Sequence, residues 1–471
     1  MYQSFVGLEI HIHLATKSKI FCGCKAHFGD EPNTNICPVC MGYPGVLPVL
    51  NEEAMKLAYV VAKALNCKLS SRTLFERKNY FYPDLPKNYQ ISQFSNPVGV
   101  DGWIDVPLKD GIKRVRIHDV HLEEDAGKMI HAGDMSLLDY NRTGYPLLEI
   151  VTEPDLVVGE DAEAFLHNFQ RLVRYLRVSD GNMEEGSLRC DANVSINLVG
   201  QGLGRKVEIK NLNSSRFVRK ALDHEIKRQA EVLDAGKIVV QETRLWNENR
   251  DVTESMRSKE SSHDYRYFPE PDMPPFVPSK DFLKIIDGLQ VELPIDRKKR
   301  LMEQYGLSSE QAEFIFDTRE LANFYEDVVA HGASALQTAL WLAGDVQKKL
   351  NKSGMTLFES PLTVNRLAEL MKLLETDRIH GKIAKQVLDV LFEEDKDPEA
   401  IITEKNWEQI VRADQLKPFL DQVFSAHPNV IESIKNGDGK QRGFLVGQIM
   451  AATGGRAQPQ LVNQQLDNLL N

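Results

Sequence analysis

FVGLEIHIHL, residues 5–14, alternates along its length. Val6, Leu8, Ile10, Ile12 and Leu14 are apolar, and Glu9, His11 and His13 stand between them. Successive side chains of a strand point to opposite faces, so this stretch is a strand with one apolar face. Its other face carries a carboxylate and two imidazoles. The pattern recurs in LRCDANVSINL (188–198), where Arg189, Asp191, Asn193, Ser195 and Asn197 alternate with apolar or small residues. In LLEIVTE (147–153), Leu148 and Ile150 oppose Glu149, and in KVEIK (206–210), Val207 and Ile209 oppose Lys206, Glu208 and Lys210. A half-exposed antiparallel sheet gives such alternation with nothing more than water on its polar face. These polar faces, however, carry carboxylates, imidazole and amides rather than the usual Lys, Glu and Thr. That set suits a hard cation, because Mg²⁺ is held by one or two carboxylates together with phosphate oxygens.

Working outward, further strands are expected at 103–107 and 112–118. Helices are expected at Glu52–Leu65, Asp161–Leu176 and Arg216–Asp234, the last capped from Asn213, Ser214 or Ser215. The Pro-rich PEPDMPPFVPS (269–279) and then LPIDRKKR (293–300) punctuate the chain. Beyond them the period is helical, at Ser308–Phe316, Thr318–Ala330, Leu336–Asn351, Val364–Leu374 and Lys382–Phe392. The expected class is α+β. A mostly antiparallel β domain with a zinc-binding loop (1–292) precedes an all-α domain (293–405) and a small helical tail module (406–471). The stretches 22–50 and 80–100 read as long loops, which are usually functional or tied by metal.

The 471 residues contain six cysteines, and four of them form C-x-C, twelve residues, then C-x-x-C: Cys22, Cys24, Cys37 and Cys40. In a reducing compartment this spacing suits tetrahedral Zn²⁺, with free thiols as the alternative. Cys67, in an apolar helical stretch, and Cys190, on the apolar side of a strand, read as core residues. No apolar run is long enough to span a membrane, and no targeting segment opens the chain, so a cytoplasmic location is expected. The net charge of −11 argues against generic nucleic-acid binding. Any RNA contact must be local. Three segments offer cations, two of them interleaved with aromatics, the mixture that holds phosphates and stacks unpaired bases: 77–90, 206–220 and 255–268. VHLEEDAGK (120–128) adds the acids Glu123, Glu124 and Asp125, and spacing alone does not say which of them points inward. There is no Walker A loop, no H-E-x-x-H and no G-x-S-x-G, so ATP would be used on an unusual scaffold.

GLEIHIHL, YPGVLPVLN, RKNYFYPDLPKNYQISQ, HLEEDAGK, DYNRTGYPLLEIVTEPD, GSLRCDANVSI, EIKNLNSSRFV and SMRSKESSHDYRYFPEPDMPP occur in this order. Together they resemble the B-subunit family of tRNA-dependent amidotransferases, the bacterial GatB type, and the C-terminal GFLVGQIMAATGGRAQPQLVNQQL resembles that family's tail. The resemblance implies a glutamine-hydrolysing aminoacyl-tRNA amidotransferase, a carbon–nitrogen ligase. Such an enzyme phosphorylates the side-chain carboxylate of Glu-tRNA(Gln) or Asp-tRNA(Asn) with ATP and Mg²⁺, then amidates it. Ammonia would come from a glutaminase A subunit, with a small C subunit completing a heterotrimer. Glu9 and His11 match the family's metal positions. Glu124, Glu149 and Asp191 are carried over as further metal or phosphate-site residues, with Glu124 also in a catalytic role. Lys210 and Arg189 are expected at the transferring phosphate, with Asn193 beside them. His13 departs from the family's usual residue, and AATGGRAQP (451–459) departs from its Lys-richer tail. The four cysteines occur in only some members, which implies a structural role. The short junction at 290–300 argues against the archaeal type, which carries an inserted domain there. A non-catalytic tRNA-binding scaffold would leave the acidic strand faces unexplained.

Overall fold

The computed structural model describes residues 1–256, 265–435 and 441–470. The strands are β1 (Tyr2–His13), β2 (Lys68–Leu69), β3 (Glu76–Asn79), β4 (Tyr89–Ser92), β5 (Gly99–Leu108), β6 (Gly111–Glu124) and β7 (Lys128–Ala132). They continue as β8 (Met135–Asp139), β9 (Pro146–Thr152), β10 (Leu188–Leu198), β11 (Val207–Leu212), β12 (Thr243–Asn247), β13 (Val252–Ser255) and β14 (Phe268–Pro269). Among the described residues, nine strands form one sheet in the order β13-β12-β11-β10-β1-β9-β6-β5-β2, with β1 at its centre. Its pairings are antiparallel except β11 with β12. A second sheet runs β14-β3-β4, and β7 and β8 form a separate hairpin.

Helices α1 (Glu52–Ala64), α2 (Gly159–Tyr175) and α3 (Ser215–Asp234) pack on one face of the large sheet. Ser214 caps α3, its hydroxyl accepting from Phe217 N at 3.2 Å. The apolar sides of the strands meet these helices. Val6, Leu8, Ile10 and Ile12 join Leu148, Ile150, Val194, Ala58 and Phe165 in a single buried core. That burial is why the alternation can be read so directly from the sequence. The other face of the sheet carries the polar side chains.

The chain divides into two compact units, Met1–Asp296 and Arg297 onward, and the architecture is α+β as expected. The second unit is helical, with one hydrophobic core drawn from Leu301 to Ile402 and another from Ile410 to Leu466. The boundary between the units falls within LPIDRKKR, as its punctuation suggests, but the backbone there is helical rather than a loop. Pro294 is the first residue of a helix, Pro294–Tyr305, a position where its fixed φ and missing N–H cost nothing. The helix expected at 336–351 is interrupted by a π-helical turn, Leu342–Val346. Cys67 lies just past the end of α1 rather than within it, and is buried, as Cys190 is.

Candidate functional site

Strand register lines up the polar residues. Glu9 on β1 faces Asp191 on β10, and His11 faces Arg189. On the other side of β1, His11 faces Glu149 on β9, which in turn faces His121 on β6. Asn193 on β10 stands between Gly7 and Glu208 on β11. Five adjacent strands therefore pave one polar floor.

Two donor groups lie on it. His11 Nε2 is 3.2 Å from Glu149 Oε2 and 4.0 Å from Glu123 Oε1. Glu9, Asp191 and Glu208 form the second group, and within each group the candidate ligand atoms lie within 4.8 Å of one another. Carboxylate oxygens with a single imidazole fit a hard divalent cation. Lys210 Nζ donates to Asp191 Oδ2 at 2.6 Å and to Glu208 Oε1 at 2.8 Å, and Thr243 Oγ1 fixes Glu208 at 2.8 Å.

Burial, with the Glu149 carboxylate alongside, pushes Glu9 up to about 7. Burial opposes a charge on Glu149 too, but His121 and His11 outweigh it and hold that carboxyl well below its usual range. Burial also opposes the His11 imidazolium, and the Glu149 and Glu123 carboxylates carry it upward. The ring nitrogens of His121 lie 2.8 Å from Asp119 Oδ1 and 3.0 Å from Glu149 Oε2. Burial opposes a charge on His121, but the neighbouring Glu149 and Asp119 raise the imidazole well above its ordinary value, which favours the imidazolium with both ring nitrogens as donors.

Glu124 is not on this floor. It lies one residue beyond Glu123, so the alternation of β6 turns it to the opposite face. There it pairs with Lys87 and accepts from Ile91 N at 2.9 Å. It borders a cavity of about 190 Å³ together with Lys19, Cys40 and Gly144. Glu123 takes the place expected for Glu124.

Asp125 accepts from Arg189 Nη2 at 2.8 Å and lies 2.7 Å from His13 Nε2, with Arg142 Nε at 3.4 Å. Burial opposes the charge on Asp125, but the Arg189 and Arg142 guanidiniums and the contact with His13 hold its carboxyl well below the usual range. Arg189 Nε is buried and has no hydrogen-bond partner among the described residues, which leaves it a donor for an anion. The basic run 206–220 does not form one patch. Lys210 faces the floor, while Arg219 pairs with Glu163 at 3.0 Å and Lys220 with Asp251 at 2.9 Å. Of the basic-aromatic stretch 255–268, residues 257–264 lie outside the described residues.

Sequence reasoning passes over His121 and Asp119, and finds Lys78 only as a cation of the basic-aromatic stretch 77–90. Burial opposes the charge on Lys78, yet Glu123, Tyr267 and Glu149 nearby raise it. Alternation applied beyond residue 118 would find Asp119, His121 and Glu123 together.

Cys22, Cys24, Cys37 and Cys40 converge, their sulfurs within 4.8 Å of one another. Cys37 and Cys40 Sγ are 3.9 Å apart, close to the edge of about 3.8 Å that four thiolates at about 2.3 Å from zinc would define. Cys22 beside it, with Lys19 Nζ 3.7 Å away, brings the Cys40 thiol down to about 5. The donor set therefore fits a tetrahedral soft-ligand site.

Among the described residues, no helix is long and apolar enough to cross a membrane. A family model described as the GatB/GatE catalytic domain matches residues 4–284, and one described as the GatB domain matches 323–470. The chain is 47% identical over 475 residues to the B subunit of the aspartyl/glutamyl-tRNA(Asn/Gln) amidotransferase of Carboxydothermus hydrogenoformans, covering 100% of this chain and 99% of the relative. It is 47% identical over 483 residues to the B subunit of the same name from Rippkaea orientalis (100% and 98% covered). The corresponding protein of Geobacter sulfurreducens is 46% identical over 471 residues (99% and 98% covered). Matched along its whole length, the chain belongs to the family of aspartyl/glutamyl-tRNA(Asn/Gln) amidotransferase B subunits.

Proposed function

We propose that the polar floor is the ATP-dependent amidation site for Glu-tRNA(Gln), Asp-tRNA(Asn) or both. One observation carries the reading. Two hard-donor groups and two cations, Lys210 and Arg189, share a single face of the sheet. A carboxylate is a poor acyl donor because its leaving group would be oxide. The γ-phosphoryl of ATP passes to the side-chain carboxylate, giving an acyl phosphate and ADP. Ammonia then attacks the acyl carbon. A C–N bond forms, the C–O bond to phosphate breaks, phosphate leaves and the nitrogen loses a proton.

Glu9, His11, Glu149 and Asp191, with Glu123 and Glu208, would hold Mg²⁺. Bound there, Mg²⁺ offsets the phosphoryl charge. Lys210 and Arg189 orient the phosphate oxygens, and Asn193 adds a neutral donor beside them. The four cysteines hold a structural Zn²⁺ away from the chemistry. The reading also includes a glutaminase A subunit as ammonia source, a small C subunit, a cytoplasmic location and a three-part chain whose 406–471 module grips tRNA.

The test uses the complex with its A and C subunits, Glu-tRNA(Gln), ATP, Mg²⁺ and ammonium chloride. Wild type forms Gln-tRNA(Gln) and ADP, and Glu9→Ala forms neither while still binding tRNA. Equal activity in both would remove Glu9 and the floor from the chemistry.

A further inference from the structure

Two aromatic-rich segments far apart in sequence meet beside the floor. Asn79 N donates to Tyr265 O at 2.9 Å, and β14 pairs with β3. Phe94 stacks on Tyr267 with centroids 4.4 Å apart and planes 11° from parallel. Tyr265 follows at 6.1 Å from Tyr267, Tyr80 at 6.0 Å from Tyr265 and Tyr82 at 6.4 Å from Tyr80. Lys78 Nζ lies 5.1 Å from the Tyr265 ring centroid. The row adjoins the floor directly, because Ser92 Oγ on β4 donates to Glu123 Oε2 at 3.1 Å.

We propose that this row seats the unpaired 3′ end of the tRNA, an inference that rests on the tRNA-dependent reading above. Lone exposed aromatics are ordinary. Phe94 differs because its loop is pinned from below. Phe94 N and Ser95 N donate to the buried Glu76 Oε2 at 2.9 and 2.7 Å, and Ser95 Oγ donates to Oε1 at 2.6 Å. A buried carboxylate thus holds a ring that stays 65% exposed. A fixed ring loses little freedom when a base stacks on it. A single adenine needs one or two rings, whereas a row of five suits successive unstacked bases, with Lys78 placed for a phosphate. The aminoacyl group sits on the last nucleotide, so seating that end here brings the reacting carboxylate to the floor.

The test uses the complete complex without ATP or glutamine, and tRNA whose 3′-terminal adenine is replaced by a fluorescent analogue quenched on stacking. Wild type quenches it. Phe94→Ala and Phe94→Leu lose the quench and bind the tRNA roughly tenfold more weakly, within the range of one lost base–aromatic stack. Phe94→Tyr restores both. tRNA trimmed of its unpaired 3′ nucleotides binds wild type and variants alike. No quench in wild type, or equal weakening with trimmed tRNA, overturns the proposal. So does a raised KM for ATP with tRNA binding unchanged, which would seat the adenine of ATP on the row. Because quenching needs no turnover, it stands or falls separately from wild-type amidation, whose failure would overturn the earlier reading.

Discussion

His121 Nε2 lies 3.0 Å from Glu149 Oε2 across the paired strands β6 and β9. The same carboxylate faces His11 on its other side, and Asp119 fixes the far nitrogen of His121. His121 therefore positions a candidate metal ligand. Residues that orient ligands typically contribute 10–100-fold in metal affinity or activity. His121→Ala is expected to raise the Mg²⁺ concentration for half-maximal ammonia-dependent amidation by about that factor, with partial recovery at saturating Mg²⁺. An unchanged Mg²⁺ titration would mean that the imidazole only fills space.

Glu123 and Glu124 are neighbours in sequence on opposite faces of β6, and their variants should fail differently. Glu123→Gln removes a floor carboxylate, so the Mg²⁺ requirement rises and the melting temperature holds. Glu124→Ala strands the Lys87 ammonium, whose side chain is 9% exposed. Leaving one partner of a buried pair typically costs about 3–5 kcal/mol. Denaturant unfolding and Mg²⁺ titration of both variants separate the two, and a reversed pattern would contradict the assigned faces.

What the sequence discloses, and what it hides, follows from how local each signal is. β1 and β10 alternate between a buried apolar face and a polar one, so Glu9, His11 and Asp191 are legible residue by residue, whereas on β9 Glu149 is the lone charge on a face it shares with Leu147 and Val151. β6 is not legible in this way. A bulge between Ile117 and Asp119 shifts its phase, so Val115 and Ile117 face the core before it and Val120 and Leu122 after it. Read from local alternation, the strand ends at 118, and His121 and Glu123 fall outside it. The aromatic row is illegible for another reason. Phe94 and Tyr267 touch only because β14 returns to β3, a pairing that no local period encodes.

The cysteine cluster predicts one zinc per chain by elemental analysis. Cys37 supplies one sulfur, and its N–H donates to Cys40 Sγ at 3.2 Å. Cys37→Ser should lose the zinc and lower the melting temperature of the N-terminal unit. Ammonia-dependent amidation at ambient temperature should stay within a few-fold, because the sulfurs are not among the floor's donor groups. Zinc-free wild-type protein would sink this assignment, and so would full loss of chemistry in a folded variant.

The helical unit carries its own pH dependence. Glu326 accepts from Arg297 Nε at 3.0 Å and Arg300 Nη1 at 2.5 Å. Burial works against its charge, but hydrogen bonds from Arg300 and Arg297 bring its carboxyl below the ordinary glutamate value of 4.5. A lowered folded value means that the carboxylate's contribution is fully present above the unfolded value. It is lost as pH falls through the lowered one. Glu326→Gln should therefore destabilise the unit at neutral pH by about 1 kcal/mol, a modest figure because solvent screens the partly exposed pair. The difference from wild type should shrink as pH drops below 4.5. Urea midpoints across that range, followed by pulsed hydrogen exchange of peptides from the unit, measure it. A gap that widens toward acid would reverse the sign and remove Glu326 as the group responsible.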